Sequence, residues 1–330
     1  MTTTLRHLPA ALLVLSAALA QAVASDPAPT VLSTDIGSDI DDTWALAQII
    51  RSPELDLKMV LTETGESAYR GQVTAKFLEA AGRTDVTVAL GIDGGAMEDT
   101  DRHQGPWVKD YDLAGYPGTI AKDGVQAFID LVKASDQPVT VIAIGPAPSL
   151  AAALRQAPEI AANCRMYGMF GSFDIGYGAS PEAVAENNVR VDPDAARTLF
   201  AADWKAVAIT PLDTCGTSDL SGDDYHAVWS ATGDPVCRAV IENYCIWAPR
   251  VPWMDCSFFA TASSTLFDSV AVYMAYSDAY LAYEKVTFRV TDDGFTVREP
   301  DGPYTMNVAL RWKDLPAFKR HLSQRLLGAE

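Results

Sequence analysis

The 330-residue sequence predicts an open, mostly parallel α/β sheet flanked by helices, with a small C-terminal β-hairpin. Three observations predict it. Strand-like and helix-like runs alternate through the first two-thirds of the chain, the pattern of repeated βα units. The first unit, residues 31–47, sets four carboxylates between its strand and its helix. Near the end, Val286–Val297 reads as two short strands around an Asp-Asp-Gly turn.

Taken in order, Val31 and Leu32 read as a buried strand, and Ala45, Leu46, Ile49 and Ile50 as the apolar face of the helix that follows. Leu57–Thr62 is a second strand, Tyr69–Ala81 a helix ending at Gly82, and Val86–Leu90 a third strand. Residues 92–121 are rich in Gly, Asp and aromatics without a clear period, which predicts a long surface loop. Gly124–Ala134 is a helix, Val139–Ile144 a strand and Pro148–Arg155 a helix. Met166–Phe170, Ala195–Ala201 and Ala206–Ile209 continue as strand, helix and strand, and Gly216–Met274 is mainly helical. In such a sheet, function is expected at the carboxyl ends of the strands.

Residues 1–24 stand apart. Arg6 precedes an apolar run from Leu8 to Leu19, and Ala22-Val23-Ala24 is a small-x-small cleavage site before Ser25. This reads as a secretory signal peptide, leaving 25–330 as a single exported domain, periplasmic or secreted. An uncleaved anchor is the alternative, but the run is short for a bilayer span. A net charge of −18 argues against nucleic-acid polymers and anionic membranes as partners. Five cysteines, Cys164, Cys215, Cys237, Cys245 and Cys256, leave at least one unpaired within the chain. The last four lie close enough in sequence for one or two disulfides; no C-x-x-C pair supports zinc or redox chemistry.

Asp35, Asp39, Asp41 and Asp42 lie within eight residues around Gly37. They repel one another unless a cation neutralises them or they cap backbone donors; hard oxygen ligands suit Ca²⁺ or Mg²⁺, and a helix N-terminus favours negative charge. An acid-capped, solvated turn is the plainer alternative. An EF-hand fits poorly, lacking the Gly and the final Glu at their spacings. A DxD-type phosphohydrolase needs an acid two residues after Asp35, where Gly37 stands, and no basic phosphate cradle follows.

Asp35-Ile-Gly-Ser-Asp-Ile-Asp41-Asp42 resembles the calcium-binding fingerprint D-x-D-x-G-x-D-D of the inosine–uridine-preferring nucleoside hydrolase family, with Ser33 in place of the first Asp and two extra residues before the final pair. Three further stretches are similar to that family in the same order. Val141-Ile-Ala-Ile-Gly-Pro-Ala-Pro148-Ser-Leu matches a strand ending in Gly-Pro-Leu-Thr-Asn-Leu, whose Thr carbonyl binds calcium; Pro148 keeps a carbonyl there. Ala185-Glu186-Asn187-Asn188, followed by Asp192-Pro193, matches A-E-F-N-x-x-x-D-P. On an extended segment Glu186 and Asn188 face one side, where a sugar edge would meet acceptors and donors. The plainer reading there is Asp192 capping a helix that starts with Pro193. Phe267-Asp268 stands where many members have His-Asp, with Asp ligating calcium and His protonating the leaving base.

The resemblance implies a Ca²⁺-dependent N-ribohydrolase acting on a small-molecule nucleoside, in a homodimer or homotetramer. Asp35 is the expected general base and metal ligand, completed by Asp42, Asp268 and the Pro148 carbonyl. Asp41, Glu66, Glu186 and Asn188 are expected to grip the ribose, Glu66 standing in for a Gly-Asn turn. Phe267 has no proton to give and implies a purine-leaning enzyme that stacks on the base. Trp107, Tyr244, Trp247 and Trp253 are stacking candidates, each equally suited to core packing. None of the four histidines lies in these stretches, so a histidine-centred mechanism has little support. The rival from another class is a noncatalytic exported nucleoside- or sugar-binding protein that keeps the metal site.

Overall fold

The computed structural model describes residues 26–253 and 259–329. Residues 1–24, expected to be a signal peptide, and Cys256 lie outside the described residues. Ten strands form one sheet: β1 (Ala28–Thr34), β2 (Leu55–Thr62), β3 (Thr87–Ala89), β4 (Ile120–Ala121), β5 (Val139–Ala143), β6 (Cys164–Met169), β7 (Ala206–Thr210), β8 (Leu281–Val290), β9 (Thr296–Arg298) and β10 (Tyr304–Trp312). Their order is β4-β3-β2-β1-β5-β6-β7-β10-β8-β9. Pairing is parallel from β4 through β7 to β10 and antiparallel across β10, β8 and β9.

β1 lies in the middle because both of its faces are apolar. Successive side chains alternate across a sheet, so Val31 joins one core and Leu32 the other. On the Leu32 side pack the helices Asp41–Ile50, Ser67–Ala80, Pro235–Trp247 and Phe267–Met274; on the Val31 side pack Gly124–Ala134, Pro148–Gln156 and Pro193–Ala201. Asp123, Asp192 and Asp234 cap three of these helices through their side chains, and Pro148, Pro193 and Pro235 open their first turns. From β1 the chain runs outward through β2, β3 and β4, then returns to place β5 on β1's other flank. That reversal makes the carboxyl ends of β1 and β5 the topological switch point, where open α/β sheets bind ligands.

Several expectations are corrected. Residues 92–121 are not simply a surface loop: β4 closes the sheet edge, and Trp107, Val108 and Tyr116 are buried against the helix Ser67–Ala80. A two-residue edge strand is too short to leave a period in sequence. The expected C-terminal hairpin is present as β8 and β9, and β10, pairing with both β7 and β8, carries it into the main sheet. A terminal helix, Leu315–Leu326, packs Phe318 and Leu322 into the core. Cys164, Cys215, Cys237 and Cys245 are free thiols, so no disulfide joins the described residues. Among the described residues no helix is long and apolar enough to cross a membrane.

Candidate active site

The acid-rich turn begins where β1 ends. Asp35 follows Thr34 directly, and the chain reverses through Gly37 at φ +108°, a conformation that favours glycine. A methyl group there would also lie 2.8 Å from the Tyr69 ring. Asp41 and Asp42 then occupy the first turn of the helix Asp41–Ile50, and Asp268 the first turn of Phe267–Met274. Two helix N-termini therefore bring partial positive charge to one acidic point. Asp41, Asp42 and Asp268 are buried, and each offers an oxygen within 4.8 Å of the others. Thr34 Oγ1 donates to Asp42 Oδ1 and accepts from the Ile36 amide at 3.1 Å, tying the strand end to the helix.

Burial drives the protonation of this group. Desolvation pushes the carboxyls of Asp41, Asp42 and Asp268 well above the usual range, and repulsion from neighbouring carboxylates adds to it. Asp35 is also raised by burial, with the Arg70 guanidinium acting against the shift. Asp39 is pushed up to about 6, first by burial and less by the charge of Asp35. Crowded, desolvated carboxylates of this kind are what a hard divalent cation stabilises, and Asp41, Asp42 and Asp268 fit one.

Arg70, almost fully buried, holds the turn from behind. Its guanidinium donates to the carbonyls of Asp35, of Ile36 at 2.9 Å and of Thr64 at 2.7 Å, and to Ser38 Oγ at 3.1 Å. On the other side the Ser38 carbonyl accepts from Trp247 Nε1 at 3.0 Å and faces His103 Nδ1 at 2.7 Å. That carbonyl can only accept, so His103 carries its proton on Nδ1.

These residues open onto a cavity of about 660 Å³ at the carboxyl edge of the sheet. Asp35, Asp39, Asp41, Asp42 and Asp268 form one wall. Glu186 and Asn188 line it too, but not on an extended segment. Glu186 caps the helix Asn187–Val191, accepting from the amides of Gly171 (2.9 Å), Asn188 (2.6 Å) and Val189 (3.3 Å). Burial raises its carboxyl to about 7. Asn188 Nδ2 donates to the carbonyls of Ile144 (3.2 Å) and Met169 (3.0 Å), which leaves Oδ1 as the side-chain atom for a ligand. Asp192 does cap the next helix, through the Ala195 amide at 2.9 Å.

The cavity also has an aromatic lining. Phe267 meets Tyr177 edge to face with centroids 5.9 Å apart, and Trp253 packs its edge against Trp247 at 6.2 Å. Tyr177 is 44% exposed and Trp253 62% exposed. Trp107 and Tyr244 are core residues instead: the Trp107 indole donates to Glu242 and Tyr244 Oη to the Ala262 carbonyl.

Two expected site residues are not on the cavity wall. Glu66 pairs with Arg102 and accepts from the Met97 amide at 3.2 Å, because the segment after β3 folds back over it. Pro148 sits at the first helical position, outside the lining, although its loop touches the site: a methyl group on Gly145 would lie 2.5 Å from Asp35 Oδ1. Sequence reasoning missed Tyr177, Arg70 and Arg190, which lines the cavity mouth. No local pattern marks them; their roles come from segments distant in sequence.

The geometry defines a class: an α/β protein with a buried acid cluster and an aromatic wall at its switch point. The family model for the inosine-uridine preferring nucleoside hydrolase matches residues 30–320, and the chain belongs to that family. It is 30% identical over 222 residues to the pyrimidine-specific ribonucleoside hydrolase RihA of Enterobacter sp. (strain 638), covering 65% of this chain and 69% of that one. It is also 30% identical over 201 residues to the non-specific ribonucleoside hydrolase RihC of Klebsiella pneumoniae, covering 59% and 64%. Among solved structures, the plant nucleoside hydrolase PpNRh1 superposes with a TM-score of 0.75 at 21% identity, over 91% of this chain and 99% of that one. A purine-preferring ribonucleoside hydrolase from Gardnerella vaginalis gives 0.70 at 23% identity, over 91% and 98%. The enzyme class is that of nucleoside N-ribohydrolases.

Proposed function

We propose that this protein is a Ca²⁺-dependent hydrolase of the N-glycosidic bond of ribonucleosides, leaning toward purines, that releases free base and ribose. The observation that carries the reading is the buried trio Asp41, Asp42 and Asp268 beside Asp35, in one cavity with aromatic side chains. When bound there, a divalent cation would orient the sugar hydroxyls and make a water more acidic. Asp42 and Asp268 are its proposed ligands, with Asp35 and the Pro148 carbonyl as the remaining candidates and Asp41 shared between cation and sugar.

The chain's own residues do the rest. Asp35, held by Arg70 at the strand end, accepts a proton from the attacking water. Departure of the base leaves an oxocarbenium-like sugar, and the negative wall stabilises that developing positive charge. Glu186 and Asn188 meet the ribose edge, so a missing 2′-hydroxyl would leave buried polar groups unpaired and disfavour deoxynucleosides. Phe267 and Tyr177 offer π-faces to the base in place of an imidazole.

The relatives' names divide between pyrimidine-specific, non-specific and purine-preferring, so the purine preference rests on Phe267. Export through residues 1–24 belongs to the same proposal, checked by an N-terminal mass beginning near Ser25 in protein from the native host. So does a homodimer or homotetramer, checked by sedimentation. For activity, the test is the purified protein against inosine, guanosine, uridine and 2′-deoxyinosine, with Ca²⁺ and with chelator. Ribose release that needs the cation and is fastest from purine ribonucleosides is the expected result. Binding without release from any nucleoside would favour the noncatalytic rival.

A further inference from the structure

Glu63, the residue after β2, is 1% exposed and belongs to none of the fingerprints. Its carboxylate nevertheless has a full set of donors. Oε1 accepts from Ser33 Oγ at 2.9 Å and from the Leu150 amide at 3.1 Å, and Oε2 from the Ser149 amide at 2.7 Å. Its own amide donates to the Thr34 carbonyl at 2.8 Å. The partners come from β1 and from the helix that follows β5, so one side chain just past the end of β2 ties β2, β1 and the start of that helix together at the switch point. Ser149 Oγ extends the link by accepting from the Ile92 amide at 2.9 Å.

The link bears on Asp35. Ser33 lies two residues before it, and residues 144–147 run between β5 and the clamped helix start. The Ile144 amide donates to the Ser33 carbonyl at 2.9 Å, and Gly145 packs so closely on Asp35 that no side chain fits between them. A single buried carboxylate therefore adds to the β1–β5 pairing and to Arg70 in holding the turn that carries Asp35 against the loop beside it. Burying such a group is costly unless it is fully hydrogen-bonded, and an apolar residue would fill the space without that demand. Position 33 is also where the D-x-D-x-G-x-D-D pattern has its first acid; here a serine hydroxyl stands there and donates to a carboxylate from the neighbouring strand.

We propose that Glu63 is a positioning residue for the acid wall: it supplies from β2 the carboxylate absent at position 33 and, through Ser33 and the Ser149-Leu150 amides, holds Asp35 against residues 144–147 in the geometry that binds the cation. This rests on the reading of that wall as a divalent-cation site. Calorimetric titration of Ca²⁺ into wild type, Glu63→Gln, Ser33→Ala and the double variant Ser33→Asp/Glu63→Gln tests it, with thermal unfolding in chelator run on each. In Glu63→Gln the new side-chain amide turns a donor toward backbone donors, and one acceptor is lost. Ca²⁺ affinity is expected to fall about 10- to 100-fold, the usual cost of removing a group that orients metal ligands. Ser33→Ala, a smaller change that keeps the helix clamp, should weaken binding by a few-fold and carries the test if Glu63→Gln does not fold. In the double variant the new carboxylate at position 33 accepts from the new side-chain amide at position 63. The acid has then changed strands, and affinity should return toward wild type. A folded Glu63→Gln that binds Ca²⁺ within about twofold of wild type overturns the proposal, even if it melts earlier. A wild type that binds no divalent cation refutes the metal reading first, and this inference with it.

Discussion

The cavity's two walls are built differently. The acid wall stands on a strand end and two helix first turns, and Asp41, Asp42 and Asp268 are at most 4% exposed. The aromatic wall includes Tyr177 beside a turn through Gly178 at φ +63°, and Trp253, the most exposed large hydrophobic among the described residues. Rigid elements hold groups to the small tolerances that bond-breaking requires, whereas rim residues can vary with the ligand. Under the proposed function the contrast would separate two jobs, bond-breaking at the acids and choice of base at the aromatics, with Phe267 and Asp268, neighbours on one helix first turn, joining them.

The largest effect expected from breaking that division comes from Asp35→Asn. The amide keeps the shape and the contact with Gly145 but cannot take a proton. Removing a positioned general base should lower kcat by about 10²–10⁴-fold, read at saturating Ca²⁺ because Asp35 is also a candidate ligand of the cation. An Asp35→Asn enzyme within tenfold of wild type would remove Asp35 from the chemistry. Next comes the aromatic wall. Stacking is worth roughly 1–3 kcal/mol per base, so Phe267→Ala should lower kcat/KM for inosine by about 5- to 150-fold and for uridine by less, which cuts their ratio while Ca²⁺ affinity stays intact. A ratio that stays put would mean Phe267 only packs against Tyr177. Phe267→His sharpens the comparison, because an imidazole there should raise uridine turnover more than inosine turnover.

The two walls are also unequally legible in sequence. Asp35 to Asp42 crowd charge into eight residues, and Asp268 stands in a second motif of the same family, so the acid wall is readable from the amino acids alone. The alternation of strands and helices likewise carries the parallel sheet, because periodicity is local. What escapes is tertiary. Glu66 is claimed by Arg102, 36 residues away, and Arg70 turns inward from a helix that in sequence reads as ordinary. Glu186 and Asn188 share the cavity as expected, but a helix cap, not strand alternation, puts them there. Tyr177 reaches Phe267 across 90 positions, a separation for which sequence offers no period or spacing rule. β10 is invisible as a sheet partner because its parallel neighbour, β7, ends almost a hundred residues earlier.

The smallest effect concerns stability, and it too divides the walls. Folding holds protons on the acid wall and its supports: Asp39 is raised to about 6, Glu63 and Glu186 to about 7, and Asp41, Asp42 and Asp268 well above the usual carboxylate range. In the unfolded chain all six ionise near pH 4. Between about pH 4 and 7 the folded state therefore binds more protons than the unfolded one, and stability must fall as pH rises. Asp85 is shifted the other way by Arg83, and Asp234, against its own partial burial, by Arg51; their contribution is lost only below about pH 4. The aromatic wall adds nothing in this window, since the Tyr177 phenol is raised by burial, far from neutrality. In chelator the melting temperature should thus decline from pH 5 to pH 8, each kcal/mol being worth roughly 2 °C in a chain of this size. With excess Ca²⁺ the cation competes with those protons and binds more tightly as they leave, so the decline should flatten or reverse. Scanning calorimetry at both pH values, with and without Ca²⁺, reads both slopes. A melting temperature that rises with pH in chelator would mean that the acid wall is solvated and ionised in the folded chain, and would remove the reason for placing a cation there.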